Sequence, residues 1–104
     1  MKKVFISQPM RGKSKKEINA ARKQAENMAR ELFGNDVEFI DTTAPIDPLT
    51  ITPKHPDAQL LGKAIEAMAD ADMAFFAPGW QAVPGCRIEH AAALAYGIPV
   101  CDQY

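Results

Sequence analysis

The chain has 104 residues, 47% of them hydrophobic and 24% charged, with a net charge of −1. That suffices for one domain with a single core, residues 1–104, and the near-neutral balance argues against nucleic acid, which favours a basic face. No run approaches the roughly 18 apolar residues of a membrane span, no signal-peptide core opens the chain, and Cys86 and Cys101 lack CxxC spacing, so a reducing cytoplasm is expected.

KVFIS (3–7) is a β-branched and aromatic run that stops at the breaker QPMRG, and it reads as a buried strand. Four of the twelve basic residues crowd into MRGKSKK (10–16), either a phosphate-binding edge or a solvated helix start. Ser14 followed by Glu17 has the form of a capping box. The helix after it is expected to run to Phe33, with Ile18, Ala21, Ala25, Met28 and Leu32 on its buried stripe and Gly34 as its C-cap.

DVEFI (36–40) reads as a second strand. DTTAPIDPLTITPKHPD (41–57) holds four prolines and cannot be a regular helix. AQLLGKAIEAMADA (58–71) is helical in period through Leu61, Ile65 and Met68, and MAFFA (73–77) reads as a third strand. Gly85 to Tyr96 is the last helix, with Tyr96 expected to pack in the core, and IPVC (98–101) is a short fourth strand.

Strands that alternate with helices and carry few polar residues indicate a parallel sheet covered on both faces. The expected architecture is a small doubly wound, flavodoxin- or Rossmann-like α/β three-layer sandwich with strand order 2-1-3-4. Ligands of such sheets bind outside the carboxyl ends of the strands where the winding reverses, here strands one and three. The rule selects SQPMRG (Ser7, Gln8, Pro9, Met10, Arg11 and Gly12) and APGW (with Pro78, Gly79 and Trp80) as the walls of the site.

Glycine beside a helix N-terminus favours an anion, and the Arg11 guanidinium can grip a phosphate or carboxylate with two parallel bonds. The loop is neither a dinucleotide fingerprint nor a Walker loop. Trp80 either stacks on a base or covers its own loop. Glu89 lies near the start of a helix too apolar to be a solvated face, beside the crevice, which makes it a candidate nucleophile or general base. His90 diverges from Glu89 by about 100° around the helix and reads as structural. Cys86 and His90 stand one turn apart, but no further metal ligand is arranged around them. Asp70 and Asp72 bracket the start of the third strand; either caps the preceding helix or assists catalysis.

FISQPMRGK, ADADMAFFAPGW and GCRIEHAAALAYGIPV together resemble the nucleoside 2-deoxyribosyltransferase-like superfamily, and within it an uncharacterised small-domain branch of bacteria and phages. The resemblance covers nearly the whole chain apart from the Pro-rich loop. It implies that Glu89 attacks C1′ of a nucleoside or nucleotide, displaces the base and holds the sugar covalently until water or a second base takes it. It further implies that Ser7, Arg11 and Gly12 hold a 5′-phosphate, that Gly85 opens the catalytic turn, that no metal or organic cofactor is needed, and that the protein is a homodimer or larger homo-oligomer. One departure stands out. The superfamily's enzymes carry an aspartate about eight residues before the position of Asp72 to assist the leaving base, and Ala64 stands there. Asp41, Asp57, Asp72 or Glu66 would have to replace it; otherwise the chain is a non-catalytic nucleotide or sugar-phosphate binding module, or a structural, partner-binding protein.

Overall fold

Residues along the two central strands alternate in which helix layer they meet, and that alternation builds the architecture. A computed structural model describes residues 1–10, 12–40 and 54–103, so Arg11, Asp41 and most of the Pro-rich segment lie outside the described residues. Among these are four strands, β1 (Lys2–Ser7), β2 (Val37–Phe39), β3 (Met73–Phe76) and β4 (Val100–Asp102). Three α-helices join them: α1 (Lys15–Phe33), α2 (Pro56–Met68) and α3 (Pro84–Ala95). All strand pairs are parallel and the order is β2-β1-β3-β4, as expected.

On β1, Val4 and Ile6 face the core shared with Ala25 and Ala29 of α1, and Phe5 faces the opposite core with Met68 of α2 and Ala93 of α3. On β3, Phe75 joins the first core and Ala74 and Phe76 the second. One helix therefore covers one face of the sheet and two cover the other, which is the three-layer sandwich. Phe5, Phe75, Phe76 and Met68 are the largest fully buried side chains, and each contributes about 1.5–3 kcal/mol of burial free energy.

Helix α1 starts and stops where its caps dictate. Ser14 Oγ accepts from the Glu17 N–H at 3.2 Å and donates to the Glu17 carboxylate at 3.1 Å, a variant of the capping box in which the acid answers the hydroxyl instead of a backbone amide. Gly34 has φ 88°, open to glycine, and its N–H bonds the Arg30 carbonyl. Two expected core residues are on the surface. Leu32 is exposed because Ala25 and Ala29, four apart, form the contact line and leave Leu32 a turn beyond it. Tyr96 is 84% exposed: it is the C-cap of α3, past the last residue that faces the sheet.

The two ends of the sheet differ in chemistry. At the amino end Asp72 ties β3 to β1, its Oδ2 accepting from the Lys3 N–H at 2.7 Å and its N–H donating to the Lys3 carbonyl at 2.8 Å. At the carboxyl end the loops after β1 and β3 meet. Gly79 has φ 90°, and a Cβ there would stand 3.4 Å from Cγ of Pro9. Glycine at this position supplies the left-handed turn, while the approach to Pro9 is an ordinary van der Waals contact.

Candidate active site

Pro84 occupies the first position of α3, where its missing N–H costs nothing, so the helix begins one residue earlier than the sequence suggests. Glu89 consequently lies in the second turn, on the same side as Cys86 three residues before it. Both are buried, at 8% and 3% exposure. Ser7, the last residue of β1, faces them from the sheet and is itself buried. Its hydroxyl donates to Glu89 Oε1 at 3.0 Å.

Burial outweighs that hydrogen bond. Desolvation raises the Glu89 carboxyl from an ordinary 4.5 to about 7, and the Ser7 hydroxyl, which favours the charged form, opposes the rise. Burial likewise pushes the Cys86 thiol up; the Ser7 hydroxyl opposes this and the charge of Glu89 adds to it. Cys86 is therefore held as a thiol and is no nucleophile itself. The cluster keeps one carboxylate poised between its protonated and ionised forms near neutrality, which suits a general base or a nucleophile.

Two adjoining clefts open on this cluster. One, of about 370 Å³, lies between α2 and α3; its wall includes Asp57, Leu61, Val83, Gly85, Cys86 and Glu89. The other, of about 420 Å³, lies between α1 and α2 over the carboxyl half of β1; its wall includes Ser7, Asn19, Arg22, Glu26, Lys63 and Glu89. Gln8, Met10, Leu60, Ala64 and Glu89 line both. The volumes are those of small-molecule sites. Ala64 stands on the shared wall with Glu89 and puts only a small side chain there.

Of the residues selected from sequence, Ser7, Gln8, Met10, Gly85 and Glu89 come together at these clefts. Gln8 is buried, and its Nε2 donates to the Ile18 carbonyl at 3.0 Å, which fixes the amide's orientation and pins the loop to α1. Pro9, Gly12, Pro78 and Gly79 belong to the adjoining turns and line neither cleft. Asp72 sits at the opposite end of the sheet, and Glu66 lines neither cleft. Trp80 is buried and stacked on His90, with ring centroids 4.2 Å apart and planes 17° from parallel. His90 in turn meets the Phe76 ring edge-on at 4.9 Å, and its Nε2 donates to Asp102 Oδ1 at 2.8 Å. Trp80, His90 and Asp102 thus lock α3 to β4, on a face of α3 turned away from Glu89.

Sequence reasoning missed Cys86 as a member of the site, although its i, i+3 spacing from Glu89 places both on one helix face. It also missed Arg22 and Lys63, which come from separate helices and share no local pattern. Among the described residues, no three His, Cys, Asp or Glu side chains are grouped to hold a metal ion, and no helix is long and apolar enough to cross a membrane.

Ser7→Ala removes the group that favours the charged form of Glu89, so the Glu89 pKa should climb above about 7. At pH 8 the variant should lose about 1–3 kcal/mol of stability, because a buried carboxylate oxygen loses its partner. Titration of Glu89 by carbon-13 NMR reads the shift; an unmoved or lowered pKa would refute the tuning role.

No curated protein and no solved structure matches the chain. The profile of one protein family, described as "Domain of unknown function (DUF4406)", matches residues 2–102. That span takes in all four strands, all three helices and the Ser7–Cys86–Glu89 cluster, and the chain belongs to the DUF4406 family.

Proposed function

We propose that the protein cleaves the N-glycosidic bond of a nucleotide or nucleoside, or transfers its deoxyribosyl group, with Glu89 as the nucleophile on C1′. The observation that carries this reading is Glu89 itself. It is a buried carboxyl on the shared wall of two small-molecule clefts, bonded to Ser7 and titrating at about 7. The resemblance of the SQPMRG, APGW and GCRIEH segments to deoxyribosyltransferase-like enzymes supports the same reaction.

In the first step a carboxylate oxygen of Glu89 bonds to C1′ as the C1′–N bond breaks, its electron pair leaving with the base, which takes up a proton. In the second, water or another base attacks C1′ and releases Glu89 as a carboxylate. Ser7 donates to the carboxylate in the free enzyme. Ala64 stands where the resemblance implies an acid, and Asp57, on the first turn of α2, is the other carboxyl group on the cleft that Glu89 lines. The resemblance also gives the SQPMRG loop, with Arg11, the role of holding a 5′-phosphate.

The test is mass spectrometry of the protein after brief incubation with mixed deoxynucleoside monophosphates and acid quench. A deoxyribosyl adduct on the peptide carrying Glu89, with free base in solution, is the expected result. Binding of a nucleotide with neither adduct nor released base would support a second reading, a nucleotide-sensing module, which Ala64 in the acid's place favours.

A further inference from the structure

The two clefts that meet at Glu89 carry different charge. The α2–α3 cleft is mostly apolar, and among the described residues its other carboxyl is Asp57 and no cationic side chain lines it. Among the described residues that line the α1–α2 cleft are two cations, Arg22 from α1 and Lys63 from α2, together with Asn19, Ser7 and Gln8. Arg22 is held in place: Nη2 donates to the Ile40 carbonyl at 3.2 Å, and Nε lies 3.6 Å from Glu26 Oε2. Glu26 offsets part of that charge. Lys63 is half-buried and has no ion-pair partner among the described residues.

We infer that the α1–α2 cleft is an anion-binding compartment in which Lys63 and Arg22, in place of the Arg11 loop that the resemblance implies, take the phosphoryl group of a phosphorylated ligand, while the α2–α3 cleft takes its uncharged end. An ammonium and a guanidinium on the lining of one cleft of this size suit a phosphate, which accepts hydrogen bonds from either. Ala64 has a part in this. A carboxylate at that position would stand on the wall common to both clefts, between Glu89 and Lys63, and would repel an anion on its way to the cations. The alanine adds no further carboxylate to linings that already hold Asp57, Glu26 and Glu89, so an anion bound across both clefts meets less repulsion on its way to Lys63. This inference rests on the proposed function for the identity of the ligand, but not for the existence of the compartment.

Calorimetry of the parent, Lys63→Ala, Lys63→Arg, Ala64→Asp and Arg11→Ala proteins tests it, with deoxynucleoside 5′-monophosphates, the matching deoxynucleosides and inorganic pyrophosphate as probes. Lys63→Ala should weaken monophosphates and pyrophosphate about ten-fold and leave deoxynucleosides unchanged. Lys63→Arg should restore most of that loss, and Ala64→Asp should reproduce it. Circular dichroism checks that each variant folds. Undiminished binding of the monophosphates and of pyrophosphate by Lys63→Ala overturns the inference, all the more if Arg11→Ala abolishes it. Pyrophosphate binding that depends on Lys63, with no deoxynucleoside or nucleotide bound, upholds the compartment and sinks the glycosidic reading. Cleavage of nucleotides with a KM indifferent to Lys63 does the reverse.

Discussion

Glu89→Gln should lose turnover of deoxynucleotides by about 10³-fold or more while keeping the fold, since an amide of the same shape cannot form the ester to C1′. The same substitution should change stability in a pH-dependent way, and the sign follows from the direction of the shift. Below about 4.5 the side chain is protonated in folded and unfolded chains alike and costs nothing. Between about 4.5 and about 7 the unfolded chain ionises and the folded one does not, so parental stability falls as pH rises, and it levels off once the folded carboxyl has also ionised. The full loss is on the order of 3 kcal/mol. Glu89→Gln, which cannot ionise, should be free of this slope: close to the parent at pH 5 and more stable than it at pH 8. Urea unfolding at the two pH values measures both arms. Equal slopes in the two proteins would mean that Glu89 is not the buried, raised carboxyl described above, and undiminished base release would remove it as nucleophile.

Trp80→Ala should be among the most damaging changes available outside the strands, at about 3–5 kcal/mol. The ring is 7% exposed, lies against Phe76 at 5.6 Å and forms one side of the stack with His90. Its loss opens a void in the second core and frees His90 from one of the surfaces that fix it beside Asp102. Thermal unfolding should show a drop in Tm of well over ten degrees, given about 4–8 °C per kcal/mol for a domain of this size. A base-stacking role makes the opposite forecast: a modest change in Tm and a large rise in KM. The two outcomes separate a core tryptophan from a ligand-facing one.

The sheet and its winding were legible because they depend on hydrophobic runs and on the handedness of crossovers, both written locally in the chain. VFI, VEF and AFF announce their strands, and Ser14 and Gly34 mark the ends of α1. The position of Glu89 followed from topology plus its apolar helix. What escaped was set by three-dimensional proximity. Asp72 precedes the third strand, which in a parallel sheet already places it at the amino end, away from the clefts, and what the sequence did not show is that it ties the Lys3 backbone there. Trp80 beside a glycine at a loop mouth suits stacking on a base or on a histidine equally well, and the choice belongs to His90, ten residues away. Arg22 and Lys63 lie on faces of two amphipathic helices where solvent exposure is the ordinary fate of a cation, and only the docking of α1 and α2 against β1 turns them toward a common space.

The bond between Ser7 and Glu89 joins groups 82 positions apart in the chain. Helices α1 and α3 can flicker into existence on their own, but this pair cannot, because its two halves come together only when β1 has closed against β3 and α3 has settled over the sheet. Closure over so long a separation is entropically costly and slow compared with local events. The raised carboxyl therefore depends on tertiary assembly and on no single element of the chain. A chain in which β1 and α3 have not met carries an ordinary glutamate, without the burial that raises its carboxyl.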